Sequence, residues 1–94
     1  MTLKVRDIRK ALVKKGFVED VSGHHVYYRY YFQDKISLIS TYVSHGATEI
    51  DDFLIGSMAK QVKLKKNDFL ELVSCTLTME VYRDRMLTEG HITN

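Results

Sequence analysis

The apolar positions at the start of the chain recur at the spacing of one helical face. Val5, Ile8, Ala11 and Leu12 form the stripe, with Thr2 as the expected N-cap. Lys14 and Lys15 fall in the last turn, where cations complement the helix dipole. Gly16 follows, free to take a left-handed C-terminal conformation. The period then changes. Phe17 to Val21 reads as a short strand, Ser22-Gly23 as a turn, and His25 to Phe32 as an aromatic-rich strand. Gln33-Asp34-Lys35 has the length of a hairpin connection, and Ile36 to Val43 reads as a third strand. Three strands joined by tight turns predict an antiparallel meander.

Helical spacing returns after a loop over Ser44 to Thr48. Ile50, Phe53, Leu54, Met58 and Val62 make an apolar face. Thr48 is the expected cap, with Glu49, Asp51 and Asp52 in the first turn and Lys60, Lys63 and Lys65 at the far end. Asn67 is expected to cap another helix carrying Phe69, Leu72, Val73 and Leu77. Leu77 to Tyr82 alternates like a strand and equally continues a helix. Thr88 to Asn94 is expected to fray. The order is α-β-β-β-α with a C-terminal element, an α+β domain whose three-stranded antiparallel sheet has helices on one face and the other face open. Residues 1–66 hold the meander and its helices, and residues 67–94 form a helical extension of the same domain.

Length and composition narrow the functional classes. A chain of 94 residues, 45% hydrophobic, has a core but little interior for an enclosed cofactor, so chemistry belongs on a face or shallow groove. The lone Cys75 forms no internal disulfide and lies in an apolar stripe, which points to a core residue in a reducing compartment. With no apolar run of signal or spanning length, the expectation is a cytoplasmic protein with no membrane partner. The net charge of +2 is small but unevenly spread. Lys4, Arg6, Arg9, Lys10, Lys14 and Lys15 load the first segment, and Lys60, Lys63, Lys65 and Lys66 form a second cluster. Such regions are what phosphate binding would need, though a solvated helix face is the commoner fate of lysines.

Strand alternation puts His25, Tyr27, Arg29 and Tyr31 on one face of the second strand. The more apolar set, His24, Val26, Tyr28, Tyr30 and Phe32, belongs under the helices. An imidazole, a guanidinium and two phenols on an uncovered face suit single-stranded RNA. Arginine pairs with phosphate, aromatic faces stack on unpaired bases, and histidine exchanges protons near neutrality. RNA brings its own nucleophile, the 2′-hydroxyl. A tyrosine-rich face is also what an oligomer interface carries, so a homodimer stays open. His24 and His25 point to opposite faces and do not jointly ligate one ion, and His45 and His91 add no finger spacing. No metal or other cofactor is expected.

These residues resemble the HicA family of mRNA-interferase toxins over roughly residues 3–73. The basic first helix closing at Lys14-Lys15-Gly16-Phe17 is similar to the family's Gly-Phe or Gly-Trp ending. The pair His24-His25 opens the second strand, His45 follows the third, and Glu49-Ile50 precedes Met58 to Leu64, similar to the family's closing helix. Asn67 to Leu72 resembles the extra helix of some members. The resemblance implies a fold like the double-stranded-RNA-binding domain and an endoribonuclease using one histidine, matched here by His25. It also implies a HicB-type antitoxin partner over the active face. On this reading Arg29, Lys4, Arg9, Lys10 and Lys14 hold phosphates, and Tyr27 and Tyr31 stack bases. Ser22-Gly23 inverts the family's Gly-Ser, the family's proline near the third strand is missing, and the tail from Thr76 has no counterpart.

Overall fold

The computed structural model describes residues 2–74 and 76–93. Among these, the elements run β1 (Thr2–Lys4), α1 (Val5–Lys14), β2 (Phe17–Ser22), β3 (His25–Phe32), β4 (Lys35–Ser44), β5 (Glu49–Asp51), α2 (Asp52–Gln61), α3 (Lys66–Val73) and α4 (Met79–Thr88). Strands β2, β3 and β4 form an antiparallel sheet in that order, and β1 pairs antiparallel with β5 in a separate ribbon. The α+β class and the meander therefore stand. No helix among the described residues is long and apolar enough to cross a membrane.

Local chemistry explains the turns. Gly16 ends α1 at φ +104°, and a Cβ there would lie 3.1 Å from the Tyr30 ring. The turn between β2 and β3 places Gly23 at φ +61°. Gln33 and Asp34, at φ +53° and +62°, join β3 to β4 in the conformation that matches the twist of paired strands. Facing Tyr30, β4 bulges: Arg29 pairs with Ser40 but Tyr31 with Ile36. The Ser37 hydroxyl closes the bulge by donating to the Tyr30 carbonyl at 2.8 Å and accepting from the Ile39 N–H at 3.1 Å.

The helices cover one side of the sheet. Ile8 and Leu12 of α1, Ile55 and Met58 of α2, and Phe69 and Leu72 of α3 pack in one core with Phe17, Tyr28, Tyr30, Ile39 and Val43. Helix α4 completes it. The Tyr82 ring lies 5.9 Å from Phe17 and 5.4 Å from Tyr30, centroid to centroid, and its hydroxyl donates to the Val62 carbonyl at 2.9 Å. Burial holds the Tyr82 phenol well above its ordinary pKa. Residues after 66 thus share the core of the residues before them.

Several expectations change. Thr2 lies in β1 rather than capping α1, whose cap position is Lys4. Asp51, not Thr48, caps α2, accepting from the Leu54 N–H at 2.9 Å. Glu49 belongs to β5, and Asn67 lies within α3, whose cap position is Lys65. Lys15 is buried rather than solvated, its stem packed where α1 meets the sheet. The helix of the Asn67 segment stops at Val73, and Leu77 is buried in the connection. Leu77 to Tyr82 is neither a strand nor a continuation of α3: a separate helix, α4, begins at Met79, capped by Thr78 through the Val81 N–H at 3.2 Å. The tail does not simply fray, because Ile92 is buried in the core. Cys75 lies outside the described residues.

Candidate nucleic-acid interface

The uncovered side of the sheet is set by β3. Tyr28 and Tyr30 point into the core, so His25, Tyr27, Arg29 and Tyr31 take the opposite side, as the alternation predicts. None of these is fully buried. His25 sits where β3 leaves its turn, across from Ser22 and Ser44. Its ring stands edge-on to Tyr42 at 5.0 Å and tilted to Tyr27 at 5.9 Å. Tyr27 and Tyr42 are themselves 5.7 Å apart, closing a triangle of three rings.

Tyr42 is the residue that sequence reasoning missed. It lies in β4, and it reaches the cluster because the register pairs it with Tyr27. Alternation within β4 puts Tyr42 on the same side as Ser40 and Ser44, but only the register tells which β3 side chain it meets.

Arg29 is held on both sides. Its guanidinium carbon lies 4.7 Å from the Tyr27 ring centroid, and its Nη1 donates to Asp20 Oδ2 at 2.5 Å. The carboxylate offsets part of the charge that a phosphate would meet. Tyr31 is exposed on the same side but lies past the bulge, opposite Ile36.

The helix cations stand elsewhere. Arg9, Lys10 and Lys14 are on α1, which packs on the covered side, and Lys4 lies in β1. Lys10 and Lys14 line a groove with Leu3, Leu70 and Val73, between α1 and α3. Arg9 donates to Glu19 Oε2 at 2.6 Å, and the Tyr28 hydroxyl donates to the same oxygen at 3.0 Å. The carboxylate holds the Arg9 pKa above its ordinary value. Burial first, then the bond to Glu19, pushes the Tyr28 phenol up to about 12. The structure therefore gathers His25, Tyr27 and Arg29, adds Tyr42, and puts Arg9, Lys10 and Lys14 on the covered side, while Lys4 lines a groove with Ala47 and Thr48 of the loop after β4.

No protein-family model, curated protein or solved structure matches the chain.

Proposed function

We propose that the chain is an RNA-binding domain of the HicA type, with a double-stranded-RNA-binding-domain-like fold, that cleaves mRNA in the cytoplasm through His25. One observation carries the reading: the His25 imidazole stands on the uncovered face, 5.0 Å from Tyr42 and 5.9 Å from Tyr27 by ring centroids, with Arg29 stacked on the Tyr27 ring.

A single-stranded segment laid along β3 stacks bases on the exposed phenol rings while Arg29 turns from Asp20 to a phosphate. The neutral imidazole takes the proton of a ribose 2′-hydroxyl. The freed oxygen forms a bond to the adjacent phosphorus, and the bond from phosphorus to the 5′-oxygen breaks. The imidazolium returns its proton to that leaving oxygen. The products are a 2′,3′-cyclic phosphate and a 5′-hydroxyl, and the step needs no metal or other cofactor. The resemblance extends to a HicB-type antitoxin partner that would cover this face.

The test is RNA cleavage by purified protein, with and without chelator. His25→Ala lowers the rate by roughly 10²–10⁴-fold, the contribution of a positioned proton-transfer group, while folding and RNA binding persist. A 2′-deoxy substitution at the cut nucleotide stops the reaction. Unchanged cleavage by His25→Ala rejects the assignment.

A second reading is favoured by the separation of the α1 cations from His25. Lys10 and Lys14 on the helical layer could hold duplex phosphates in a module that binds RNA without cutting it. Steeply salt-dependent duplex binding, with no cut products under any condition, selects that reading.

A further inference from the structure

Among the described residues, strand β4 is an edge strand, since the order β2-β3-β4 leaves one of its sides unpaired. The ladder fixes which backbone groups point outward. The His45 N–H donates to the His24 carbonyl at 2.7 Å, so odd-numbered residues of β4 beyond the bulge bond toward β3. Ser40, Tyr42 and Ser44 turn their groups to the free edge. The Ser44 carbonyl accepts from the Ala47 N–H at 3.1 Å, which leaves Ser40 and Tyr42 as the open part of the ladder.

Exposed edges are usually guarded by lysine, proline or an inward-pointing charge. From Ile36 to Ser44, β4 has neither charge nor proline. Its bulge presents Leu38, which is 97% exposed. Alongside this edge, between β4 and α2, runs a groove of about 300 Å³ walled by Tyr42, Val43, Leu54, Met58 and Phe53, the last of them 77% exposed. Apolar side chains therefore stand uncovered on both sides of an unpaired ladder.

We propose that the occupant is β4 of a second copy, paired antiparallel about a twofold axis near Ser40, so that the two sheets join into one. Leu38 of each copy then faces Tyr42 of the other, and Phe53 and Leu54 of each copy lie beneath the seam toward the start of the other copy's β4. Charge selects this occupant and direction. Lys35 opens β4, while Glu49 lines the groove where it ends beyond Ser44. Antiparallel pairing brings Lys35 of each copy to the acidic end of the other; parallel pairing sets lysine beside lysine. Area agrees. A ten-residue strand is about 33 Å long. With one helical layer below the sheet it offers about 600 Å² per copy, a tenth of the 5941 Å² surface and the scale of a small specific interface.

Sedimentation of the full chain over a concentration series tests this. The wild-type chain is expected to form a dimer. Ser40→Pro removes an outward N–H, which an edge strand tolerates, and Leu38→Lys and Phe53→Lys change side chains that the single copy leaves in water. Each is expected to raise the dimer dissociation constant by roughly 10- to 100-fold, with circular dichroism unchanged, because a strand bond is lost or an unpaired charge is buried. Lys35→Glu weakens the dimer, and adding Glu49→Lys restores it. His25→Ala leaves it intact, so the dimer stands or falls apart from the nuclease reading. A wild-type chain that stays monomeric, whether or not it takes up an extended peptide, overturns the proposal. So does a dimer indifferent to both Leu38→Lys and Phe53→Lys, or one that the charge swap does not rescue.

Discussion

Tyr82 joins the C-terminal helix to the rest of the domain, and its two contributions can be separated by substitution. Tyr82→Phe keeps the ring beside Phe17 and Tyr30 but leaves the buried Val62 carbonyl without the donor now 2.9 Å away. A lost hydrogen bond at a buried acceptor costs about 1–2 kcal/mol. For a domain of 94 residues, that lowers the melting temperature by roughly 4–16 °C. Tyr82→Ala also removes the ring, and truncating a buried aromatic residue costs about 3–5 kcal/mol. The total stability expected of a chain this size is about 5–14 kcal/mol, so the alanine variant loses a large share of it. Thermal melts followed by circular dichroism, with chemical denaturation as a second measure, give both values. If Tyr82→Phe melts with the wild type and Tyr82→Ala loses less than about 1 kcal/mol, against the ordinary cost of a core truncation, α4 is not part of the core described here.

Two further outcomes follow from the open face and from the phenol beneath it. Asp20→Asn releases Arg29, whose exposed ion pair is worth about 0.2–1 kcal/mol, so single-stranded RNA should bind about 1.4- to 5-fold more tightly at low salt; fluorescence anisotropy showing equal or weaker binding counts against phosphate contact at Arg29. Tyr28 has its pKa raised from 10.0 to about 12, so between those values the unfolded chain releases this proton and the folded chain keeps it. The stability associated with this shift is complete below about pH 10 and is lost as pH rises toward about 12. Melting temperatures measured across that range should fall less steeply for Tyr28→Phe than for the wild type, and equal slopes would remove Tyr28 as the cause.

The strands and helices were legible where one short-range rule governed them. Gly16 ended α1 as its backbone freedom suggests, and alternation sorted β3 into Tyr28 and Tyr30 within and His25, Tyr27 and Arg29 without. What stayed hidden depends on partners remote along the chain. Strands β1 and β5 are three residues each, too short to show a period, and Thr2 finds Asp51 only once the domain has formed. Their pairing also displaced the expected caps, because Thr2 and Glu49 became strand residues. Tyr42 was missed for a related reason: its neighbours on the open face are chosen by register. The separation of the α1 cations from His25 follows from layering, which a linear tally of charge does not contain.

The β1–β5 ribbon has a consequence for synthesis. As the chain leaves the ribosome, the hairpins within residues 17–44 can close from their own turns soon after they emerge. Thr2–Lys4, made earlier, must wait until Glu49–Asp51 have cleared the exit tunnel before they can pair. Residues around Tyr82 and Ile92 emerge later still and add further pieces of the interior. A ribosome stalled between those two points holds a nascent chain whose sheet can form while its apolar layer is incomplete, the stage at which a chaperone would find most to bind.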